Sequence, residues 1–229
     1  MSADPLQAGP DRPRAVREMF DRVAPRYERM NRLLTLGLDR RWRAAAVRSL
    51  GLAPGALVVD VGCGPGELCR ALGRHGHRAI GFDLSEGMLR AASESPVRVL
   101  ADGLRLPLAD GVAHGATCGF ALRNVADPAA LLAELGRVLR SGGRLAVLEV
   151  AEPTWQPAHA LHRLYFHGLV PVVGAVLSDR QAYRYLPASS ALLPTDAALA
   201  RMAEAAGFGA YRRRPLSFGA VQLVTATRR

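Results

Sequence analysis

The sequence predicts an α/β fold built on a doubly wound, mostly parallel seven-stranded sheet. Three observations carry the prediction: short apolar runs alternate with helix-length patterns, a glycine-rich turn follows the first apolar run, and an acidic residue closes the second. Parallel strands need a crossover between each pair, so regular alternation of this kind reads as a sheet covered by helices. The strands are expected at Ala56–Val61, Arg78–Phe82, Val97–Ala101, His114–Gly119 and Arg144–Val150, with two more near Ala210–Arg214 and Phe218–Thr227.

Residues 1–13 lack the apolar stretch of a secretory signal and read as a disordered leader, which points to a cytoplasmic location. Residues 14–229 read as one domain. Its first part, 14–50, is an N-terminal helical cap: Val16, Phe20, Val23 and Tyr27 recur at helical spacing, and a second helix covers Trp42–Leu50. A helix over Ala129–Leu139 is the clearest, with Asp127 as N-cap, Pro128 in its first turn and Gly142–Gly143 as its stop. Residues 153–194 form a helical insertion after the fifth strand. It contains HALHRLYFHGLVPVVGAVL, broken by Pro171 and Gly174, and reads either as core packing or as a substrate lid. A late helix lies near Ala197–Ala206.

Composition narrows the partners. Thirty basic residues, all arginine, against 20 acidic ones give a net charge of +10. Such a surface is drawn to nucleic acid or to an anionic membrane face. No zinc-finger spacing, RNP-like aromatic sequence or basic stripe accompanies the charge, so nucleic acid is not the expected partner. No apolar run reaches the roughly 18–20 residues that span a bilayer. Cys63, Cys69 and Cys118 lack metal-site spacing and read as buried thiols, with no metal expected.

The chemistry starts at Asp60-Val61-Gly62-Cys63-Gly64-Pro65-Gly66-Glu67, where a strand turns into a helix. Glycines at 62, 64 and 66 let a ligand lie against the main chain. A dinucleotide fingerprint would want glycine at 67 as well; Glu67 instead sets a carboxylate where pyrophosphate would sit. The loop therefore suits a ligand without phosphates, and S-adenosylmethionine is one. Asp83 ends the second strand, 21 residues beyond Gly62, where its two oxygens match a ribose diol. The competing reading makes Asp83 a helix cap, a task Ser85 can perform. Asp102-Gly103 after the third strand offers an acceptor for an adenine amino group, or is an ordinary turn.

Several longer segments, MFDRVAPRYERMNRLLTLGLDRRWR (19–43), GFALRNVADP (119–128), LRSGGRLAVLEVAEP (139–153) and YRYLPASSALLP (183–194), resemble the ubiquinone/menaquinone biosynthesis C-methyltransferase family, a class I S-adenosylmethionine-dependent group. The resemblance covers nearly the whole chain from Val16. It implies methylation of a demethylmenaquinol-type or benzoquinol-type ring, with cofactor positions at Pro65, Asp83, Asp102, Gly103 and Gly119. Asp60, Gly62, Gly64, Gly66 and Leu84 complete the expected cofactor set. Pro65 stands where the family commonly has Thr, and Gly119-Phe120-Ala121 where it commonly has Ser-Phe-Gly. Both changes delete a hydroxyl beside the cofactor and leave the acceptor open between a quinol and a related secondary-metabolite aromatic.

Arg123 and Asn124 follow the fourth strand, where the methyl should meet its acceptor, and are the expected catalytic pair. A guanidinium stabilises a developing phenolate but is a poor base; the resemblance suggests that Arg123 acts with a bound water. The alternative pairs Arg123 with Asp127 or makes it a helix cap. Tyr27, His162, Tyr165 and Tyr185 are expected at the substrate, against a reading of His162, Tyr165 and His167 as aromatic packing. Peripheral contact with an anionic membrane and a homodimer are the expected associations. A non-catalytic S-adenosylmethionine-binding subunit remains the competing class.

Overall fold

Four of the five residues of β1 (Leu57–Val61) are buried. Side chains alternate across a strand, so Val59 and Val61 enter one core and Val58 another. A strand apolar on both faces belongs inside a sheet covered on both sides. The computed structural model, which describes residues 9, 11–91, 97–153, 156, 185 and 188–229, places it there. Its neighbours are β2 (Arg78–Asp83), β3 (Val97–Leu100), β4 (Ala113–Gly119), β5 (Leu139–Val150), β6 (Phe208–Leu216) and β7 (Val221–Arg228). The sheet runs in the order β3-β2-β1-β4-β5-β7-β6. β1 to β5 pair in parallel, and β7 is antiparallel to both β5 and β6. This is the expected doubly wound, mostly parallel seven-stranded sheet.

The helices whose bounds fall within the described residues include α1 (Arg12–Val23), α2 (Tyr27–Leu34), α3 (Leu38–Leu50), α4 (Glu67–Arg74), α5 (Glu86–Arg90), α6 (Pro128–Val138) and α7 (Asp196–Ala205). α6 and α7 cover one face, where Leu131, Leu135, Leu199 and Ala203 pack with Val59 and Val147. α3 and α4 cover the other, with Val47, Leu50, Leu68 and Leu72 against Val58 and Leu148. Asp127 caps α6 as expected, accepting from the backbone N–H of Ala129 at 2.9 Å and of Ala130 at 3.0 Å.

Some boundaries differ. α1 begins at Arg12, so residues 12 and 13, expected in the leader, are helical. The cap holds a helix the sequence reading lacked, α2, because Gly37 at φ 74° lets the chain turn between α2 and α3. Gly142 and Gly143 do not stop α6. Leu139 is already extended (φ −79°, ψ 133°), and both glycines lie within β5, where its register against β4 shifts. Phe218, expected in the last strand, sits in a 3-10 turn, Ser217–Gly219, between β6 and β7. The helical insertion and its lid reading fall mostly on residues 154–187, of which only 156 and 185 are described. The three cysteines are free and buried. Among the described residues no helix is long and apolar enough to cross a membrane.

Candidate active site

The strand order reverses between β1 and β4, and the loops leaving their carboxyl ends diverge there to leave a crevice. The crevice has about 960 Å³ of empty space, its open mouth included. Val61, Gly62 and Gly64 line it after β1, Asp83, Leu84 and Ser85 after β2, Ala101–Leu104 after β3, and Gly119–Ala121 with Asn124 after β4. Pro13, Val16, Arg17, Phe20 and Tyr27 close it from the N-terminal cap.

The backbone at Gly62 explains the glycine there. Its φ is +67°, and a Cβ on it would lie 2.3 Å from the Cβ of Ala121. No side chain fits, so the Gly62 main chain of the β1 loop lies directly against the Ala121 side chain of the β4 loop. Asp83 binds this loop directly. Its Oδ2 accepts from the Gly64 N–H at 2.7 Å and its Oδ1 from the Ser85 N–H at 2.8 Å. Each carboxylate oxygen has a second lone pair, available to a diol in the crevice. Burial pushes the Asp83 carboxyl up, against the lowering effect of those N–H groups. Ser85, not Asp83, caps α5, accepting from the Met88 N–H at 3.1 Å. Asp102 lines the crevice and also forms an ordinary turn, its Oδ1 accepting from the Leu104 N–H at 2.9 Å.

Other expected site residues stand behind the wall. Asp60, Pro65, Gly66, Arg123 and Tyr185 are buried and do not line the crevice. Pro65 offers its carbonyl to Arg70 at 2.9 Å. Glu67 pairs with Arg43 of α3 at 2.7 Å, so its charge ties the cap to the glycine loop. Arg123 forms a buried ion pair with Glu149 of β5 and donates to Ser189 Oγ at 3.2 Å and to the Phe120 carbonyl at 3.0 Å. The partner is thus Glu149 and not Asp127, the alternative the sequence offered, and the pairing leaves the guanidinium neutralised away from the crevice, where the expected catalytic role would have placed it. Asn124 does line the crevice, and its Oδ1 accepts from the Tyr185 hydroxyl at 2.9 Å. Tyr27 faces the crevice, where burial raises its phenol pKa. His162 and Tyr165 lie outside the described residues.

The ties that hold the cap leave no local signal in the sequence. Asp21 of α1 accepts from Ser85 Oγ at 2.6 Å and from the Gly87 N–H at 2.8 Å. Arg12 donates to the carbonyls of Arg123 at 2.7 Å and Val125 at 3.3 Å. Glu149 had a usable signal: an acid inside the apolar run LAVLEV requires a buried cation.

Asp60 carries a pH prediction. Burial pushes its carboxyl up to about 7, opposed by hydrogen bonds from Thr117 Oγ1 at 2.7 Å and Cys69 Sγ at 3.4 Å. A proton held more tightly in the folded state stabilises fully below the unfolded pKa of about 3.9, and this contribution is lost as pH rises through 7. Between pH 5 and pH 8 the parent protein should lose roughly 2 kcal/mol more stability than Asp60→Asn, which carries no proton to lose. Urea unfolding at the two pH values measures it; parallel slopes would show that Asp60 ionises normally.

Comparison with known proteins adds to this geometry. The model of the ubiE/COQ5 methyltransferase family matches residues 8–228. The chain is 41% identical over 221 residues to the ubiquinone/menaquinone biosynthesis C-methyltransferase UbiE of Syntrophotalea carbinolica, covering 93% of each chain. It is 40% identical over 247 residues to the demethylmenaquinone methyltransferase of Parafrankia sp., covering 97% of each. Among solved structures, a SAM-dependent methyltransferase of Thermotoga maritima matches with a TM-score of 0.66 at 21% identity, over 93% of this chain and 100% of that one. Magnesium protoporphyrin IX methyltransferase of Synechocystis matches with a TM-score of 0.64 at 17% identity, over 97% and 100%. At these identities the two structures bear on the fold.

Proposed function

The chain belongs to the ubiE/COQ5 methyltransferase family, and from that premise we propose that it methylates a ring carbon of a demethylmenaquinol-type quinol, using S-adenosylmethionine. The observation that carries the reading is the mixed lining of the crevice, in which a glycine loop and carboxylates stand beside the apolar and aromatic side chains Val16, Phe20, Tyr27 and Val125. The polar part fits a nucleoside: Asp83 retains lone pairs for a ribose diol, Asp102 offers an acceptor, and Leu84 leaves an apolar side chain 40% exposed for a flat base. The apolar and aromatic side chains fit a flat ring.

When bound, S-adenosylmethionine supplies a methyl group made electrophilic by its sulfonium. The protein's task is to present the acceptor carbon and to stabilise charge on the neighbouring oxygen. Asn124 holds that position. Its Oδ1 is occupied by Tyr185, which orients the amide and leaves Nδ2, only weakly engaged by the Phe120 carbonyl at 3.4 Å, to donate to an acceptor oxygen. Tyr27 supplies a second hydroxyl from the cap. Arg123 is a positioning residue in this reading: it fixes the Phe120 carbonyl from behind, and so the turn that presents Asn124.

A quinol with a polyprenyl tail stays in the bilayer, so the reading includes peripheral contact with the membrane. The test is a methyl-transfer assay with reduced short-chain demethylmenaquinone and mass spectrometry of the product. A C-methylated ring is expected. Cofactor binding with no product, or methylation confined to a soluble aromatic hydroxyl, would replace the quinol reading.

A further inference from the structure

We propose that the protein seats on an anionic lipid surface through one arginine-ringed apolar edge, made of the α2–α3 turn and the β6–β7 turn. This rests on the reading of the acceptor as lipid-borne. Leu33 is 54% exposed, Leu36 81% and Phe218 83%, the last two among the most exposed large apolar side chains described. Both sit on turns with left-handed backbone, φ 50° at Leu36 and 57° at Phe218, a conformation that β-carbon-bearing residues adopt only when their surroundings enforce it. The Gly37 N–H on the Arg32 carbonyl at 3.0 Å enforces the first. Ser217 Oγ, which accepts from Trp42 Nε1 at 2.8 Å, anchors the second.

That Trp42 bond also brings the turns together. Trp42 lies four residues into α3, about 6 Å along the axis from Leu38, and Leu38 follows the Leu36 turn directly. The edge they share is the one where the crevice opens. α3 ends at Leu50, just before the start of β1, so its first residues stand at the carboxyl end of the sheet. β6 runs the same way as β5, both being antiparallel to β7, so Leu216 reaches that same end. A ring rising from a bilayer under these tips would meet the crevice mouth.

The charge identifies the occupant. Arg29, Arg32, Arg40 and Arg41 are exposed on α2 and α3, and Arg213 and Arg214 on β6. The acids of the same two helices turn inward, Glu28 onto Arg70 and Asp39 onto Arg43. Protruding apolar tips ringed by cations match an anionic interface, into which the tips insert while the guanidinium groups meet headgroups.

The test is co-sedimentation of the full chain with vesicles of phosphatidylcholine alone or mixed with phosphatidylglycerol, at low and high salt. Binding is expected only with phosphatidylglycerol, weaker at high salt. The double variant Leu36→Asp/Phe218→Asp should bind at least ten-fold more weakly. Arg40→Glu/Arg41→Glu, which leaves the apolar tips intact, should do the same if the first variant folds poorly. Both should methylate short-chain demethylmenaquinol at the parent rate and lose turnover on a long-tailed quinol in vesicles. Parent protein that ignores anionic vesicles, or folded variants that bind as the parent does, would overturn the inference. So would sedimentation showing that Leu36→Asp/Phe218→Asp merely dissociates a dimer, which would make this edge an interface between copies. Short-chain turnover is read separately, so a failure of the quinol reading shows there and a failure of the docking edge shows in the vesicles.

Discussion

Arg123→Ala is expected to cost the fold about 3–5 kcal/mol, the usual consequence of removing one partner from a buried ion pair. Arg123 is 5% exposed and Glu149 1%. With the guanidinium gone, the Glu149 carboxylate keeps, among the described residues, two backbone donors, the Arg123 N–H at 3.3 Å and the Val150 N–H at 2.9 Å. A domain of this size holds about 5–15 kcal/mol in all, so the loss should be plain in urea unfolding. Glu149→Gln added to Arg123→Ala should restore part of it, because a neutral amide costs less to bury. Turnover should fall as well, through the Phe120 carbonyl: Phe120 sits at φ 59° on the crevice wall, and the Arg123 guanidinium bonds that carbonyl at 3.0 Å. Arg123→Lys should keep much of the stability yet lose the fork that reaches Ser189 and Phe120 together. If Arg123→Ala lost turnover with an unchanged unfolding midpoint, the guanidinium would be acting on the substrate and the positioning role would be wrong.

Asp83→Ala should weaken S-adenosylmethionine binding by at least 100-fold in a protein that still folds. Two effects combine. The ribose diol loses charge-assisted bonds worth about 1.5–3 kcal/mol each, and the Gly64 and Ser85 N–H groups lose the acceptor that shapes the loop. Asp83→Asn separates them. Its single amide oxygen can serve one of the two N–H groups, and its NH2 group opposes the other, so it should bind more weakly than the parent and also loosen the loop. Calorimetry with each variant reads the affinity, and circular dichroism checks the fold. Parent-like affinity in folded Asp83→Ala would remove this carboxylate from the cofactor site.

The readable features share a short range. The apolar run of β1, the Asp127 cap with Pro128, and the glycine turn at 62 are all set by a few neighbouring residues, and each appears where the sequence puts it. The crevice-lining loops after β1 to β4 were legible for the same reason: parallel strands deliver their carboxyl ends to one edge. Boundaries failed where tertiary context overrode a local signal. The glycine pair at 142 and 143 resembles a helix stop, but the pull of β4 on Leu139 ended α6 first and drew the glycines into β5.

The sequence by itself determined the sheet, the covering helices, the edge at which the crevice opens and the family to which the chain belongs. Only the tertiary structure decided which side chains reach that edge and which support it from behind. Arg123 finds Glu149 26 positions away, Asp21 finds Ser85 64 away, and Tyr185 finds Asn124 61 away. Hydrogen bonding and charge pairing act over a few ångströms of space, while periodicity and capping act over a few residues of chain. The pattern therefore places a residue on a loop, and the packing of distant elements determines whether its charge faces a ligand or a buried partner.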